Sequence, residues 1–181
     1  MGVVAISGQA ASGKTTIARM IAERLNYRFV SVGELFRKIA AERGVDLLRL
    51  HEIAERDYSI DRFVDQYAVE EARRGNVVIE GHLAAWMVKD YADVKIYLKA
   101  DINARARRLA SRDGLTFDRA LAEISAREAS NRRRYLAIYG IDIGDLTPFD
   151  LVVDTTYIDA GQVFNIVYQY VVNVLRARGR L

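Results

Sequence analysis

Residues 8–15 restrict the possible folds of this chain more than any other segment. They read GQAASGKT and fit the pattern GxxxxGK[ST]. The segment follows a short apolar run at residues 3–6 that is typical of a buried strand, and it leads into residues 14–25, whose apolar side chains have helical spacing. A strand, a glycine-containing loop and a helix in this order form a site that binds phosphate groups. The chain is therefore predicted to bind a nucleoside triphosphate.

The residue types within this loop suit phosphate chemistry. Gly8 and Gly13 let the backbone turn so that successive N–H groups point at an anion, and the following helix adds its positive N-terminal end. Lys14 is predicted to reach the β- and γ-phosphates, and the Thr15 hydroxyl is predicted to ligate Mg²⁺. The residues of this segment that are predicted to bind the nucleoside triphosphate are Gly8, Gln9, Ala10, Ala11, Ser12, Gly13, Lys14, Thr15 and Thr16.

Apolar strand-like runs alternate with helical stretches along the rest of the chain. The runs at residues 77–79 and 94–98 are apolar on both faces, which is typical of parallel strands covered on both sides by helices. Residues 27–30 and 151–153 are predicted to form two further short strands. Helical stretches are predicted from about 35 to Gly44, over 47–56, 60–74, 101–112 and 116–139, and from Asp159 onward. These patterns predict an α/β fold of the P-loop NTPase type, in which a five-stranded parallel sheet forms the middle of three layers.

The composition fits one globular domain, which we expect to span residues 1–181. Hydrophobic residues make up 51% of the chain and there is one proline, which argues against disorder. There are no cysteines, so disulfides and thiolate metal sites are excluded. No apolar run is long enough for a membrane helix and the start of the chain lacks a basic leader, so we expect a cytoplasmic protein without membrane contact. We also expect a monomer.

Basic charge is concentrated in one part of the sequence. The chain has 22 Arg and 5 Lys, and residues 105–134 contain nine Arg against four acidic residues. Arg binds phosphate oxygens in a bidentate manner, and a local cluster favours an anion site over a surface that coats nucleic acid. Arg108 and Arg112 are four residues apart and share one helix face. We predict a short Arg-rich lid at about 112–135, and a helical monophosphate-binding insert at about 31–74.

The remaining motifs favour a small kinase among P-loop proteins. Lys99, Ala100 and Asp101 follow the strand at 94–98, so the NKxD motif of GTPases is absent there, and the chain is too short for a motor ATPase. Glu80 ends the strand at 77–79, where its carboxylate is predicted to act on Mg²⁺ directly or through a water molecule. An adenylate kinase, a kinase of a small alcohol such as shikimate, and a nucleotide-dependent RNA-binding or regulatory protein remain as alternatives.

The sequence resembles the archaeal-type cytidylate kinases, a family of P-loop nucleoside monophosphate kinases, over its whole length. The matching stretches are ISGQAASGKTT at 6–16, VSVGELFRKIA at 30–40, IDRFVD at 60–65, GNVVIEGHLAAW at 75–86, RRLASRDG at 107–114, RRYLAIYGIDIGDL from 133 and FDLVVDT to 155. The resemblance implies transfer of the γ-phosphoryl group of ATP to CMP or dCMP.

The resemblance also implies roles for individual residues. Arg37 would hold the CMP phosphate, Arg108 and Arg112 would border ATP, and Arg127, Glu128 and Arg132 would face the transferred phosphoryl group or the cytosine. With Lys14 of the phosphate loop, Arg127 and Arg132 are the predicted catalytic residues. His82 stands where related kinases carry Arg after the acidic-Gly pair. The predicted substrate-binding residues are Ser31, Gly33, Arg37, Asp61, Arg62, Gly81, His82 and Glu128, with Arg127 and Glu128 as first candidates for reading the base and Asp61 and Arg62 as the second pair.

Two further interpretations concern residues outside these motifs. His51 lies in a helical stretch without a partner visible in the sequence, so it is predicted to be structural or exposed. Five aromatic residues are predicted to belong to the core and not to stack on a base, namely Trp86, Tyr135, Tyr139, Tyr168 and Tyr170.

Overall fold

A computed structural model describes all 181 residues and contains a five-stranded parallel sheet. The strands are β1 (Val3–Gly8), β2 (Arg28–Ser31), β3 (Val77–Glu80), β4 (Val94–Lys99) and β5 (Leu151–Asp154), and their order across the sheet is β2-β3-β1-β4-β5. Every neighbouring pair is parallel. The predicted fold class is confirmed.

Eight helices connect or follow the strands. They are α1 (Lys14–Leu25), α2 (Val32–Glu42), α3 (Leu47–Ala54), α4 (Ser59–Arg73), α5 (Ala84–Met87), α6 (Ile102–Asp113), α7 (Phe117–Tyr139) and α8 (Ala160–Ala177). Asp101, Thr116 and Asp159 cap α6, α7 and α8 by accepting hydrogen bonds from backbone N–H groups of the first turn. The short helix α5 has no counterpart among the sequence predictions. No helix has the length and apolar character that crossing a bilayer requires.

The sheet is covered by helices on both faces, which gives three layers. Along β1, Val4 and Ile6 pack against apolar side chains of α1 and α8, whereas Val3 and Ala5 pack against α4 and α5. Successive residues of a strand point to opposite faces, so a strand that is apolar at every position has to be covered on both. All six residues of β1 are buried.

Two groups of helices lie beyond the sheet. The chain between β2 and β3 forms α2, α3 and α4, which enclose a separate apolar cluster that includes Phe36, Leu50 and Val64. The chain between β4 and β5 forms α6 and α7, which pack together around Leu109 and Ile124 and contact Ala10 of the loop after β1. Parallel strands end at the same edge of a sheet, so both groups adjoin the carboxyl ends of β1 and β3.

Candidate active site

The loop between β1 and α1 depends on glycine at two positions. Gly8 has a φ of 149°, and a Cβ atom there would lie 2.0 Å from the carbonyl oxygen of Leu98. Gly13 has a φ of 97° and is the N-cap of α1. Any other residue would be strained at either position. The sequence pattern therefore marks a real backbone constraint, and the loop turns into the N-terminus of α1 as predicted.

Lys14 is held inside this loop. Its Nζ donates a hydrogen bond of 2.6 Å to the carbonyl oxygen of Gln9, and the residue is only 7% exposed. Burial lowers the pKa of Lys14 to about 8, because the ammonium group loses hydration, while the nearby carboxylate of Glu80 acts in the opposite direction. Lys14 is thus a poorly solvated cation that an incoming phosphate would stabilise.

Glu80 and Thr15 are in contact at the end of β3. The Thr15 hydroxyl donates to Oε1 of Glu80 at 3.0 Å, and the Ser31 hydroxyl donates to the same oxygen. Mg²⁺ that arrives with phosphates keeps several water ligands and needs only one or two protein oxygens. Thr15 and Glu80 fit this ion as oxygen ligands. The Thr15 hydroxyl directs its proton at Glu80, so lone pairs of its oxygen remain available to Mg²⁺. No cluster of three acidic, His or Cys side chains offers a fully protein-made metal site.

A cleft of about 800 Å³, part of it open to solvent, extends from this loop between the two outer groups of helices. Its lining includes most of the predicted substrate residues, namely Gly33, Arg37, Asp61, Gly81 and His82, together with Arg112 and Arg127. A second pocket on the other side of the loop is lined by Ser12, Gly13, Thr16, Arg108 and Thr155. Lys14, Thr15 and Arg112 line both pockets. The structure therefore offers two neighbouring spaces that meet at the phosphate loop.

Three cationic side chains surround this meeting point with unequal freedom. Arg37 is exposed and forms no ion pair or hydrogen bond within the chain. Arg112 pairs with its neighbour Asp113 at the surface. Arg127 is 8% exposed, bonds Glu123 at 3.2 Å and leaves its Nε without a partner. Burial lowers the pKa of Arg127, as expected for a cation that lacks full compensation. Such groups are suited to bind an anion.

His82 lines the same cleft as a neutral side chain. Burial and the charges of Lys14 and Arg127 lower the pKa of His82 well below its usual value. The residue therefore offers one hydrogen-bond donor and one acceptor, without the charge of an Arg.

Three predicted site residues lie away from the cleft. Arg62 is exposed on the outer side of α4, beside an open groove, and Arg132 is exposed and pairs with Asp142 at 3.2 Å. Neighbouring residues on a helix point about 100° apart, so Asp61 faces the cleft and Arg62 faces outward. Glu128 accepts hydrogen bonds from Ala10 N (3.0 Å) and from Arg105 (2.7 Å), which commits it to the phosphate loop and corrects its prediction as a base-reading residue.

Ser31 and Gln9 have supporting positions beside the cleft. Besides its bond to Glu80, the Ser31 hydroxyl accepts from Glu34 N and so caps α2. The side-chain oxygen of Gln9 accepts from Ala100 N at 2.9 Å, which ties the phosphate loop to the residue after β4. Neither side chain lines either pocket. Ser31 bonds Glu80, which lines the cleft, and Gln9 anchors the phosphate loop to the end of β4.

Sequence analysis missed a buried polar group at the end of the cleft far from the phosphate loop. Arg134, His51 and Asn131 all line the cleft and are nearly inaccessible to solvent. His51 packs on Phe36 with ring centroids 5.0 Å apart, and Arg134 bonds His51 and Asp61. Tyr135 also lines the cleft, although it belongs to an apolar cluster as predicted. One sequence feature could have indicated this polar group. The spacing of Arg127, Asn131 and Arg134 places all three on one face of α7.

Proteins of known identity are similar to this chain over nearly its whole length. A cytidylate kinase from Pyrobaculum islandicum is 53% identical over 175 residues, which cover 97% of this chain and 95% of the relative. A cytidylate kinase from Pyrobaculum arsenaticum is 57% identical over 166 residues, which cover 92% of this chain and 90% of the relative. Among solved structures, shikimate kinase from Bacteroides thetaiotaomicron shares the fold, with a TM-score of 0.63 at 16% identity over 97% of this chain and 98% of that chain. The model of the cytidylate kinase-like family matches residues 3–157, and together with these relatives it establishes that the chain belongs to that family.

Proposed function

We propose that this protein is a cytidylate kinase that transfers the γ-phosphoryl group of ATP to CMP or dCMP. The observation that carries the proposal is the pair of pockets that share Lys14, Thr15 and Arg112. One nucleotide in each pocket would direct its phosphates at the same three residues, as a transfer between two phosphorylated substrates requires. Membership in the cytidylate kinase-like family selects the cytosine nucleotide as the acceptor.

The pocket beside Arg108 is assigned to ATP. The phosphate loop and the N-terminus of α1 receive its phosphates, and Lys14 stabilises charge on the β- and γ-oxygens. Thr15 would hold Mg²⁺ directly and Glu80 through water, and the ion would neutralise charge on the same oxygens. Arg108 is fixed by its bond to the Thr155 hydroxyl at 2.9 Å, which places it at the border of this pocket.

The cleft lined by Arg37 is assigned to the monophosphate. Arg37 has no competing partner and is available to bind the acceptor phosphate, with Gly33, Gly81 and His82 beside it. Arg127 lines the same cleft and pairs only with Glu123, so its guanidinium group would be available to an oxygen of the transferred group. The acceptor oxygen is already an anion at pH 7, so no residue needs to act as a general base. The helices within 31–74 thus serve as the monophosphate-binding insert, and residues 112–135, most of which belong to α7, serve as the lid that excludes water.

The proposed activity is tested by measuring ATP consumption with CMP, dCMP, UMP, AMP, GMP and shikimate as acceptors. We expect CMP and dCMP to give the highest kcat/KM. A higher kcat/KM for AMP or shikimate would replace the cytidylate assignment by one of the other kinases of this fold. Salt-sensitive RNA binding without turnover of any acceptor would instead favour a basic RNA-binding platform.

The position of the acceptor phosphate is tested by Arg37→Ala. We expect KM for CMP to rise at least 30-fold and KM for ATP to change less than threefold, because a charge-assisted contact to a desolvated anion is worth roughly 2–5 kcal/mol. Lys38→Ala is the matched control, since Lys38 follows Arg37 on α2, is exposed and pairs only with Glu42 at 3.9 Å. Equal changes in both KM values would show that Arg37 does not bind the acceptor.

A further inference from the structure

Arg134 uses every hydrogen-bond donor of its guanidinium group inside the protein. Its Nε donates to Asp61 at 2.7 Å. One terminal nitrogen contacts Nδ1 of His51 at 3.1 Å and donates to the Ser130 hydroxyl at 2.6 Å. The other terminal nitrogen donates to Asp61 at 3.2 Å and to Oδ1 of Asn131 at 3.0 Å. A guanidinium group has five N–H donors, and all five are used here. The Arg134 side chain is also only 2% exposed. Arg134 therefore has no donor left for a phosphate.

This saturation determines which atoms of the neighbouring side chains face the cleft. A guanidinium group only donates, so the atom of Asn131 that meets it has to be the oxygen, and the atom of His51 that meets it has to be an unprotonated nitrogen. Burial and the charge of Arg134 lower the pKa of His51 to about 3, so the ring is neutral at physiological pH. The single proton of the His51 ring is consequently on Nε2.

The polar end of the cleft thus has a defined pattern of donors and acceptors. Nε2–H of His51 and the NH₂ group of Asn131 are donors without a partner in the chain, and both residues line the cleft. Asp61 lines it as well, and its two oxygens each accept only one bond from Arg134, which leaves acceptor capacity. Phe36, Leu47 and Val64 supply apolar surface at the same end.

This pattern of donors and acceptors complements cytosine and does not complement uracil. The Watson–Crick edge of cytosine has an amino donor at position 4 and acceptors at N3 and O2. Uracil has an acceptor at position 4 and a donor at N3, so two of its three groups are reversed. Both bases present two acceptors and one donor, so the order of the site groups has to discriminate. Around the guanidinium of Arg134, Asp61 takes Nε and one terminal nitrogen, Asn131 takes that same terminal nitrogen and His51 takes the other, so the carboxylate acceptor is at one end and the two donors follow it. Cytosine complements this order, whereas the central N3–H of uracil would face a donor and leave buried polar groups unpaired.

We propose that His51 and Asn131 are specificity-determining residues that distinguish cytosine from uracil, and that Arg134 is a positioning residue that fixes their orientation. The proposal rests on the assignment of this cleft to the acceptor nucleotide. It differs from the sequence-based choice of Arg127 and Glu128, because Glu128 is bound to the phosphate loop.

The test compares kcat/KM for CMP with kcat/KM for UMP in wild-type protein and in His51→Phe, His51→Gln and Asn131→Leu. The ratio of the two values does not depend on the fraction of protein that is folded, so a structural defect alone does not change it. We expect His51→Phe and Asn131→Leu each to lower the ratio by about 10- to 100-fold, since each removes a donor to the base. His51→Gln should retain more of the ratio than His51→Phe, because a carboxamide can accept from Arg134 and still donate to the base.

Arg133→Gln is the matched control, since Arg133 is on α7 beside this group but is exposed and bonds Glu55 instead. The control should leave the ratio and KM for ATP unchanged. A ratio within twofold of wild type in both His51→Phe and Asn131→Leu would overturn the proposal, even if CMP is confirmed as the preferred acceptor. Failure of wild-type protein to prefer CMP would instead overturn the proposed function.

Discussion

At the scale of single residues, Lys14 is a buried cation that is proposed to bind the phosphates of ATP, so the affinity for ATP should depend on pH. Its pKa is about 8 in the ligand-free protein, and bound phosphate favours the charged form and raises this pKa. ATP affinity should therefore be greatest below pH 8 and should fall as pH rises further, by up to about tenfold per pH unit. The measurement is Kd for Mg²⁺–ATP between pH 7 and pH 9.5.

Lys14→Met provides the control for this titration. It removes the group that gains the proton, so Kd for ATP should be weaker and independent of pH over the same range. Its kcat should fall on the order of 10³-fold or more, because charge on the transferred phosphoryl group is no longer stabilised. A Kd that kept the wild-type pH dependence in Lys14→Met would assign the titration to another group.

Among helices and strands, local sequence patterns predicted every element except the four-residue helix α5, because the patterns of the longer elements depend on residues that are neighbours in the chain. The helices predicted from residues 101, 116 and 159 are confirmed, with Asp101, Thr116 and Asp159 as their caps, and the predicted strands are confirmed as well. Which side of α7 reaches the cleft was harder to predict, since Arg127, Arg132 and Arg134 look equivalent in sequence. The spacing of seven residues between Arg127 and Arg134 places both on one face, and Arg132 points outward.

A contact between α7 and the phosphate loop also predicts a measurable effect. Glu128 accepts from Ala10 N, and its partner Arg105 donates to the carbonyl oxygen of Ala10 at 3.2 Å. Glu128→Ala should shift the loop and lower kcat/KM for ATP by about 10- to 100-fold, because small displacements of positioned groups are costly. Steady-state kinetics at saturating CMP would measure this change.

Glu52→Ala is the comparison variant for that prediction. Glu52 is an exposed glutamate of α3 whose carboxylate pairs with Arg49 at 2.6 Å, so its loss should leave kcat/KM for ATP unaffected. If Glu128→Ala behaves like Glu52→Ala, the contact at Ala10 does not position the loop.

Across the whole molecule, the parts of the site that sequence analysis missed are contacts between distant segments. Arg134 and Asp61 are 73 residues apart, and Glu128 and Ala10 are 118 apart. Periodicity describes only residues on the same element, so it can place Asp61 on α4 and Arg134 on α7 without showing that α4 and α7 meet. His51 was predicted to be structural or exposed for the same reason, since its partner lies on another helix.

One such long-range contact predicts how the stability of the molecule changes with pH. Asp65 of α4 is 3% exposed and accepts from the Tyr139 hydroxyl of α7 at 2.7 Å. Burial raises the pKa of Asp65 to about 7, and the charge of Asp61 acts in the same direction, whereas the hydrogen bond from Tyr139 and the charge of Arg134 lower it. The folded protein thus binds a proton at Asp65 between about pH 4 and pH 7 that the unfolded chain has released. The free energy of unfolding therefore decreases, and the folded protein becomes less stable, as pH rises through this window.

Asp65→Asn should remove this loss of stability. The amide cannot ionise, and its oxygen can still accept from Tyr139, so the variant should match wild type near pH 4 and exceed it above pH 7 by roughly 2–4 kcal/mol. Denaturant unfolding at pH 4, 6 and 8 measures the difference, with the exposed Asp90→Asn as the control that should follow wild type at every pH. A constant difference between Asp65→Asn and wild type across these pH values would mean that Asp65 keeps the same charge in the folded and unfolded chain. In that case burial between α4 and α7 would not set its ionisation.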